Sequence, residues 1–457
     1  MRTLFFALAL LMLLGCAQKA PETPAVPLEH NRGQISFQYP DWPAADNADQ
    51  NFLVRNNGTC VFAAAEYPAA SPMLKDVLES ELHSSFQGEY LDFDMSTGGQ
   101  EFDARTRMVY CDYKTYTFTI ACIGELQEER LLESVRCAPR QLDLKKKLGL
   151  IPIPPNQDPA LLAQTFRQAR ADGAEVLYWY LPYRDVADNW TLPDYVMEPM
   201  SYEGKSAVVI EVIHTNVLAE YPKRYSSFTD EGFSEEFSAR AAEFAERYDP
   251  DYLFVGNEVD DYLWERRELI PEFKDLLEQT RIKVHAANPR TKVGFTVTYH
   301  DTLTHNATDI TKTLAEEADI IGYTDYGYRG LFRFDNVSRG LEYLGRPADV
   351  VPGKPFAIVE AGWSSSPLLG SSEALQEEYA EGFFAYLEDT DAEFVNWFAL
   401  HDGVDCSDAA DSFLKDLPQV KEDESFMEVF KEFLCSLGIK HSDGTPKKAW
   451  SVWQENT

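Results

Sequence analysis

A chain of 457 residues with 44% hydrophobic and 13% aromatic side chains holds ample apolar material for packed cores and exceeds the length of one ordinary domain. Its formal net charge of −35 excludes nucleic acid as a partner, because phosphate binding depends on clustered Lys and Arg. The acidic residues are spread along the chain rather than gathered in a tail, so they read as a solvated surface that leaves neutral or cationic partners open.

The chain opens with Arg2 and an apolar run from Leu4 to Leu14, closing on Leu13-Leu14-Gly15-Cys16. The run is shorter than the ~20 residues that a membrane-spanning helix needs. It resembles the signal peptide of bacterial lipoproteins. That resemblance implies removal of residues 1–15, lipidation of Cys16 and anchoring in the cell envelope, at the outer membrane or cell surface. Residues 16–32 are rich in Pro, Ala and Glu and read as an extended tether. Six further cysteines in an exported chain point to disulfides. Four precede residue 140, where several pairings are open, and Cys406 with Cys435 is the one choice after residue 400. No CxxC or HExxH spacing occurs, so neither a catalytic metal nor a cofactor is expected.

Residues 33–140 alternate apolar and polar positions at Ile35-Phe37-Tyr39 and Tyr116-Phe118-Ile120-Cys122, the period of half-buried strands. Helical spacing appears at Met73, Leu74, Val77, Leu78 and Leu82, and again at Leu126, Leu131, Leu132 and Val135. A small α+β accessory domain with an antiparallel sheet follows. After Lys145-Lys146-Lys147, eight short apolar runs begin at Leu148, Glu175, Ala207, Tyr252, Lys292, Ile320, Phe356 and Glu393, with amphipathic helices between them. Eight βα units in ~300 residues predict a (β/α)8 TIM barrel over 145–457, within the α/β class. A doubly wound sheet is the competing architecture, but no GxGxxG follows the first strand.

Active sites of such barrels form at the C-terminal ends of the strands. The fourth run ends Val255-Gly256-Asn257-Glu258 and the seventh ends Val359-Glu360-Ala361-Gly362-Trp363-Ser364-Ser365, each placing a glutamate where a strand meets a loop. Two carboxylates at one barrel mouth suit glycoside hydrolysis: one protonates the leaving oxygen while the other, ionised and ~5 Å away, attacks the anomeric carbon with net retention.

These motifs resemble the clan A glycoside hydrolases, most closely the plant and fungal β-1,3-glucanases and next the endo-β-1,4-galactanases, although Ala361 stands where those glucanases usually carry Thr. The resemblance implies Glu258 as acid/base, Glu360 as nucleophile, Asn257 as a ligand of the sugar 2-hydroxyl, Tyr326 as the tyrosine bound to the nucleophile, and Trp397 as an aromatic floor under the sugar. The closing segment Leu437–Trp450 resembles the part of barrel glycosidases where the last helix seals the barrel. Trp363 and Trp179 are candidate sugar platforms, since aromatic faces stack on pyranose C–H faces, with packing in the strand core as the alternative for Trp179 and a buried core position as the alternative for Trp397. His214, Tyr299, His300 and His401 follow strands and could meet hydroxyls, and the segments 187–205 and 214–232 are expected to wall the cleft. The resulting expectation is a retaining glycoside hydrolase or transglycosylase acting on a β-linked polysaccharide or oligosaccharide, with a non-catalytic glycan-binding lipoprotein as the rival, since fold alone does not establish activity.

Overall fold

In the computed structural model the described residues are 27–32, 35–40, 52–56, 60–67, most of 82–137, and 145–457 apart from 202–203, 306, 329, 331 and 414–422. The expected signal peptide, Cys16 and, of the pattern from Met73 to Leu82, the positions Met73, Leu74, Val77 and Leu78 lie outside them. The chain divides into two compact units, Met1–Gln141 and Leu142–Thr457.

The first unit is mainly β. Strands β1 (Pro27–Arg32) and β2 (Ile35–Pro40) pair antiparallel. The end of the expected tether is therefore a strand, because Leu28-Glu29-His30 finds a ladder partner that composition alone does not reveal. A five-stranded antiparallel sheet contains β3 (Phe52–Asn56), β4 (Cys60–Tyr67), β5 (Tyr90–Thr97), β6 (Gln100–Cys111) and β7 (Lys114–Ile123), in the order β3-β4-β7-β6-β5. The period-2 pattern turns Phe62, Phe118 and Ile120 into one core with Leu131, Leu132 and Val135. Cys60 and Cys122 stand opposite each other on β4 and β7 and are disulfide-bonded. Of the helical pattern at 126–135, Arg130–Glu133 forms a single turn before the short strand β8 (Arg136–Cys137).

The second unit is a closed parallel barrel. Strands β9 (Leu148–Leu150), β10 (Val176–Pro182), β11 (Lys205–His214), β13 (Tyr252–Asn257), β14 (Lys292–Thr298), β15 (Ile320–Asp325), β16 (Phe356–Ala361) and β17 (Val395–Trp397) follow one another around it, and β17 pairs back to β9. A two-residue strand, β12 (Val217–Leu218), turns back on β11. This is the (β/α)8 architecture that the eight apolar runs predict.

Strand alternation separates two cores. Inside the barrel lie Val176, Tyr178, Ala207, Val209, Tyr252, Phe254, Ile320, Ala357 and Val359. Between barrel and helices lie the intervening residues, among them Leu177, Val208, Leu253, Val255, Ile321 and Ile358. Of the segment 187–205, the part from Trp190 to Met200 belongs to the outer layer rather than to a wall of the cleft. Its residues Thr191–Met200 form a helix of the outer layer, where Trp190 packs edge-on to Tyr248 and Asp194 binds Arg247 and Tyr248. Disulfide Cys406–Cys435 closes the loop after β17 onto the helix Glu424–Cys435.

Candidate active site

The end of β13 is built to present two polar side chains. Gly256 has φ 77°, and a β-carbon there would come within 2.6 Å of Val259 Cγ1, so glycine is required by both conformation and space. Glu258 is also left-handed, at φ 50° and ψ 48°. Such a backbone costs about 1–3 kcal/mol for a residue with a side chain and persists where its surroundings fix it. Here the Glu258 amide donates to Thr296 Oγ1 at 2.7 Å. Its carboxylate is fixed as well: Thr215 Oγ1 donates to Oε2 at 2.5 Å and Thr324 Oγ1 to Oε1 at 2.6 Å.

Glu360 reaches the same mouth through an irregularity in β16. Tyr323 pairs with Ile358 but Thr324 pairs with Glu360, so the register skips Val359. A bulge of this kind re-aims the following side chain. Glu360 is 6% exposed, and both carboxylate oxygens accept phenolic hydrogen bonds, Oε1 from Tyr180 at 2.5 Å and Oε2 from Tyr326. Thr324 thus lies beside Glu360 in the ladder, one strand spacing of about 4.8 Å away, while its hydroxyl holds Glu258. The two carboxylates flank one threonine.

Burial and the neighbouring Glu258 charge push the Glu360 carboxyl up to about 7, while the hydroxyls of Tyr180 and Tyr326 and the nearby His214 pull it back. Burial likewise opposes a charge on His214. Glu211, bonded to Nδ1 at 2.5 Å, outweighs it together with Glu258 and Glu360, and the imidazole pKa is raised. Three carboxylates and one imidazole therefore share the site. Asn257 is 3% exposed and accepts at Oδ1 from Thr296 Oγ1 at 2.9 Å. Among the described residues no group of three His, Cys, Asp or Glu is arranged to hold a metal ion.

The structure brings Glu258, Glu360, Asn257, Tyr326 and His214 together, and it corrects four other candidates. Trp397 is fully buried in the layer outside the barrel, packed on Tyr379 and Phe383 with its indole N–H on Leu437 O. It cannot floor the cleft. Its neighbour Phe398, partly exposed and 6.1 Å from the Tyr326 ring, occupies the inward position. Trp363 is buried too, stacked on Tyr379 at 4.9 Å with Nε1 bonded to Ser371. Trp179 points outward to Phe166 on the helix Leu162–Ala171. Tyr299, 2% exposed, packs against Tyr323 and Tyr343 rather than facing sugar. One physical reason covers the two strand tryptophans: alternate strand residues face opposite ways, and Trp179 and Trp397 fall on the outer parity. Of the other histidines, His401 is buried with Nδ1 on Ile153 O, and His300 packs against Tyr328.

No family model and no curated protein matches the sequence. Solved structures similar to it are glycoside hydrolases. A GH5_18 protein from Streptomyces cattleya, in complex with Manβ1-4GlcNAc, is 16% identical with a TM-score of 0.47, covering 67% of this chain and 79% of its own. The exo-β-1,4-mannosidase Op5Man5 from Opitutaceae bacterium strain TAV5 is 11% identical with a TM-score of 0.48, covering 67% and 58%. A β-glucuronidase of Bacteroides uniformis is 12% identical with a TM-score of 0.48, covering 92% and 49%.

Sequence reasoning missed Tyr180, Glu211, Thr215 and Thr324. For Tyr180 a signal existed, because Leu177-Tyr178-Trp179-Tyr180 offers two faces and the tyrosines share one. The threonines carry no such mark. Tyr180 makes a specific expectation: Tyr180→Phe removes one of two donors to Glu360, so its carboxylate becomes harder to ionise. The acidic limb of the kcat/KM profile should move to higher pH, with kcat/KM falling about tenfold at neutral pH, the size of one charge-assisted hydrogen bond. An unchanged profile would remove Tyr180 from the site.

Proposed function

We propose that this protein is a retaining β-glycoside hydrolase, or a transglycosylase of the same mechanism, displayed at the cell surface through a lipidated Cys16. The observation that carries the activity is the placement of Glu258 and Glu360 around Thr324, on strand ends of one barrel mouth. Two carboxylates so close cannot both ionise easily, so they divide into an acid and a base. Glu360 accepts from two phenols, which hold its charge once pH exceeds the raised value of about 7, so the nucleophile is ionised on the alkaline side of that value. Glu258 is held by two threonine hydroxyls, which can turn to accept as well as donate and therefore tolerate its proton.

The reaction runs in two displacements. Glu258 gives its proton to the glycosidic oxygen as Glu360 attacks the anomeric carbon, breaking the C–O bond and leaving a glycosyl ester on Glu360. Glu258, now ionised, takes a proton from water, or from an acceptor hydroxyl in transglycosylation, whose oxygen displaces Glu360. Asn257, at the foot of Glu258, orients the sugar hydroxyl next to the scissile bond in this reading.

β-1,3-Glucan and β-1,4-galactan are the first substrates to test. Proton NMR of the first-formed product should show the β-anomer before mutarotation. An α-anomer would refute retention, and an absence of cleavage alongside measurable glycan binding would favour the non-catalytic glycan-binding reading.

A further inference from the structure

The short helix Val259–Glu265 begins directly after Glu258. It is tied down on the active-site rim: Asp260 accepts from Thr298 N at Oδ1 and from Thr302 Oγ1 at Oδ2, both at 2.9 Å, and the Tyr262 amide donates to Thr215 O. It therefore lies across the C-terminal ends of β13 and β14, beside the threonine that holds the Glu258 carboxylate. Near its end stands Trp264, 37% exposed and the one exposed tryptophan among the described residues. Exposure of single apolar side chains is ordinary; the mounting of this one is specific. The His305 ring stacks beneath the indole, 4.2 Å between centroids and 19° between planes, and Trp264 Nε1 donates to His305 O at 3.0 Å. The N–H is thus used internally and one side of the ring is occupied. What remains is a rigid apolar face presented to solvent.

We propose that this face of Trp264 is a distal sugar-binding subsite, stacking on a neutral pyranose unit of the same glycan chain that is cleaved between Glu258 and Glu360. The inference rests on the glycosidase reading. Five helical rises separate Val259, the residue after Glu258, from Trp264, about 7.5 Å along the helix axis, a separation longer than one sugar ring. Pyranose rings offer apolar C–H faces to indole, and a platform already immobilised loses little side-chain entropy when the sugar docks. The tryptophans expected to play this part, Trp363 and Trp397, are buried, which leaves Trp264 as the one exposed indole among the described residues.

The test compares the wild type with Trp264→Ala and Trp264→Phe on an aryl β-glycoside and on β-1,3- or β-1,4-linked oligosaccharides from disaccharide to hexasaccharide, after thermal unfolding confirms that both variants fold. In Trp264→Ala the ratio of kcat/KM for the hexasaccharide to that for the aryl glycoside should fall about three- to tenfold, with Trp264→Phe in between. An unchanged ratio overturns the subsite and leaves the glycosidase reading standing. If the wild type cleaves none of these compounds, that reading fails by itself, and calorimetric titration of the hexasaccharide then decides the subsite: weaker binding by Trp264→Ala supports it, and equal or undetectable binding by both proteins overturns it.

Discussion

Glu360→Ala should reduce glycoside cleavage by about 10⁴-fold, equivalent to about 5 kcal/mol of barrier, while leaving the fold intact. The side chain removed is the one that both phenols address, and no other carboxylate is held in that position. Glu258→Ala should differ in kind. An aryl glycoside with a good leaving group needs little acid assistance, so its first step survives, the glycosyl ester accumulates, and added azide restores turnover by replacing the water that Glu258 would activate. Equal losses on poor and good leaving groups, without azide rescue, would end the assignment.

The Glu360 carboxyl has a cost in stability. Its folded pKa of about 7 exceeds the ordinary value of 4.5, so the folded state binds more protons between those pH values and stability falls as pH rises through that window. Glu360→Gln should therefore be more stable than the wild type above pH 7 and show no such gain near pH 4. Thermal unfolding across pH reads this directly. An active site that lowers stability in this way is common where function needs a buried charge.

Asp325→Asn should stabilise the protein at pH 8 by on the order of 1–3 kcal/mol, the cost of a buried polar group without a full set of partners. Asp325 ends β15 on the outer parity, in the layer where Tyr323 and Tyr379 lie, 1% exposed. One oxygen accepts from Gly327 N at 3.2 Å and the other has no hydrogen-bond partner. Burial, opposed only by that amide, pushes its pKa up to about 8 from 3.8. The sign follows as before. The folded state holds a proton that the unfolded state has lost, so this residue makes stability decline as pH rises from about 4 to about 8. Asparagine keeps the shape and cannot ionise, and the part of the decline above pH 7 should disappear. A variant whose stability still falls between pH 7 and pH 8 as steeply as the wild type would contradict the account.

The site is unevenly legible in the sequence. Glu258 and Glu360 are marked by strand ends and by motif, and Asn257, Tyr326 and His214 come with them. At Trp179 and Trp397 the question was one of face: each lies on the expected strand, and the core alternative holds because each falls on the outer parity. Register at the mouth is shifted by the skip at Val359, so counting alternate residues along the strand does not carry through to its end. Trp264, on a helix that no apolar run announces, has no signature at all.

The sequence by itself determined the eight-unit barrel, because buried parallel strands and amphipathic helices impose their periods on the apolar residues wherever they lie. It also placed the two glutamates, since a charged group ending an apolar strand must sit at a rim. Only the tertiary structure decided which side chains meet them. Tyr180, Thr215, Thr324 and Tyr326 come from three different βα units, and their convergence depends on bulges, parity and closure of the sheet, none of which leaves a mark within any one segment of the chain.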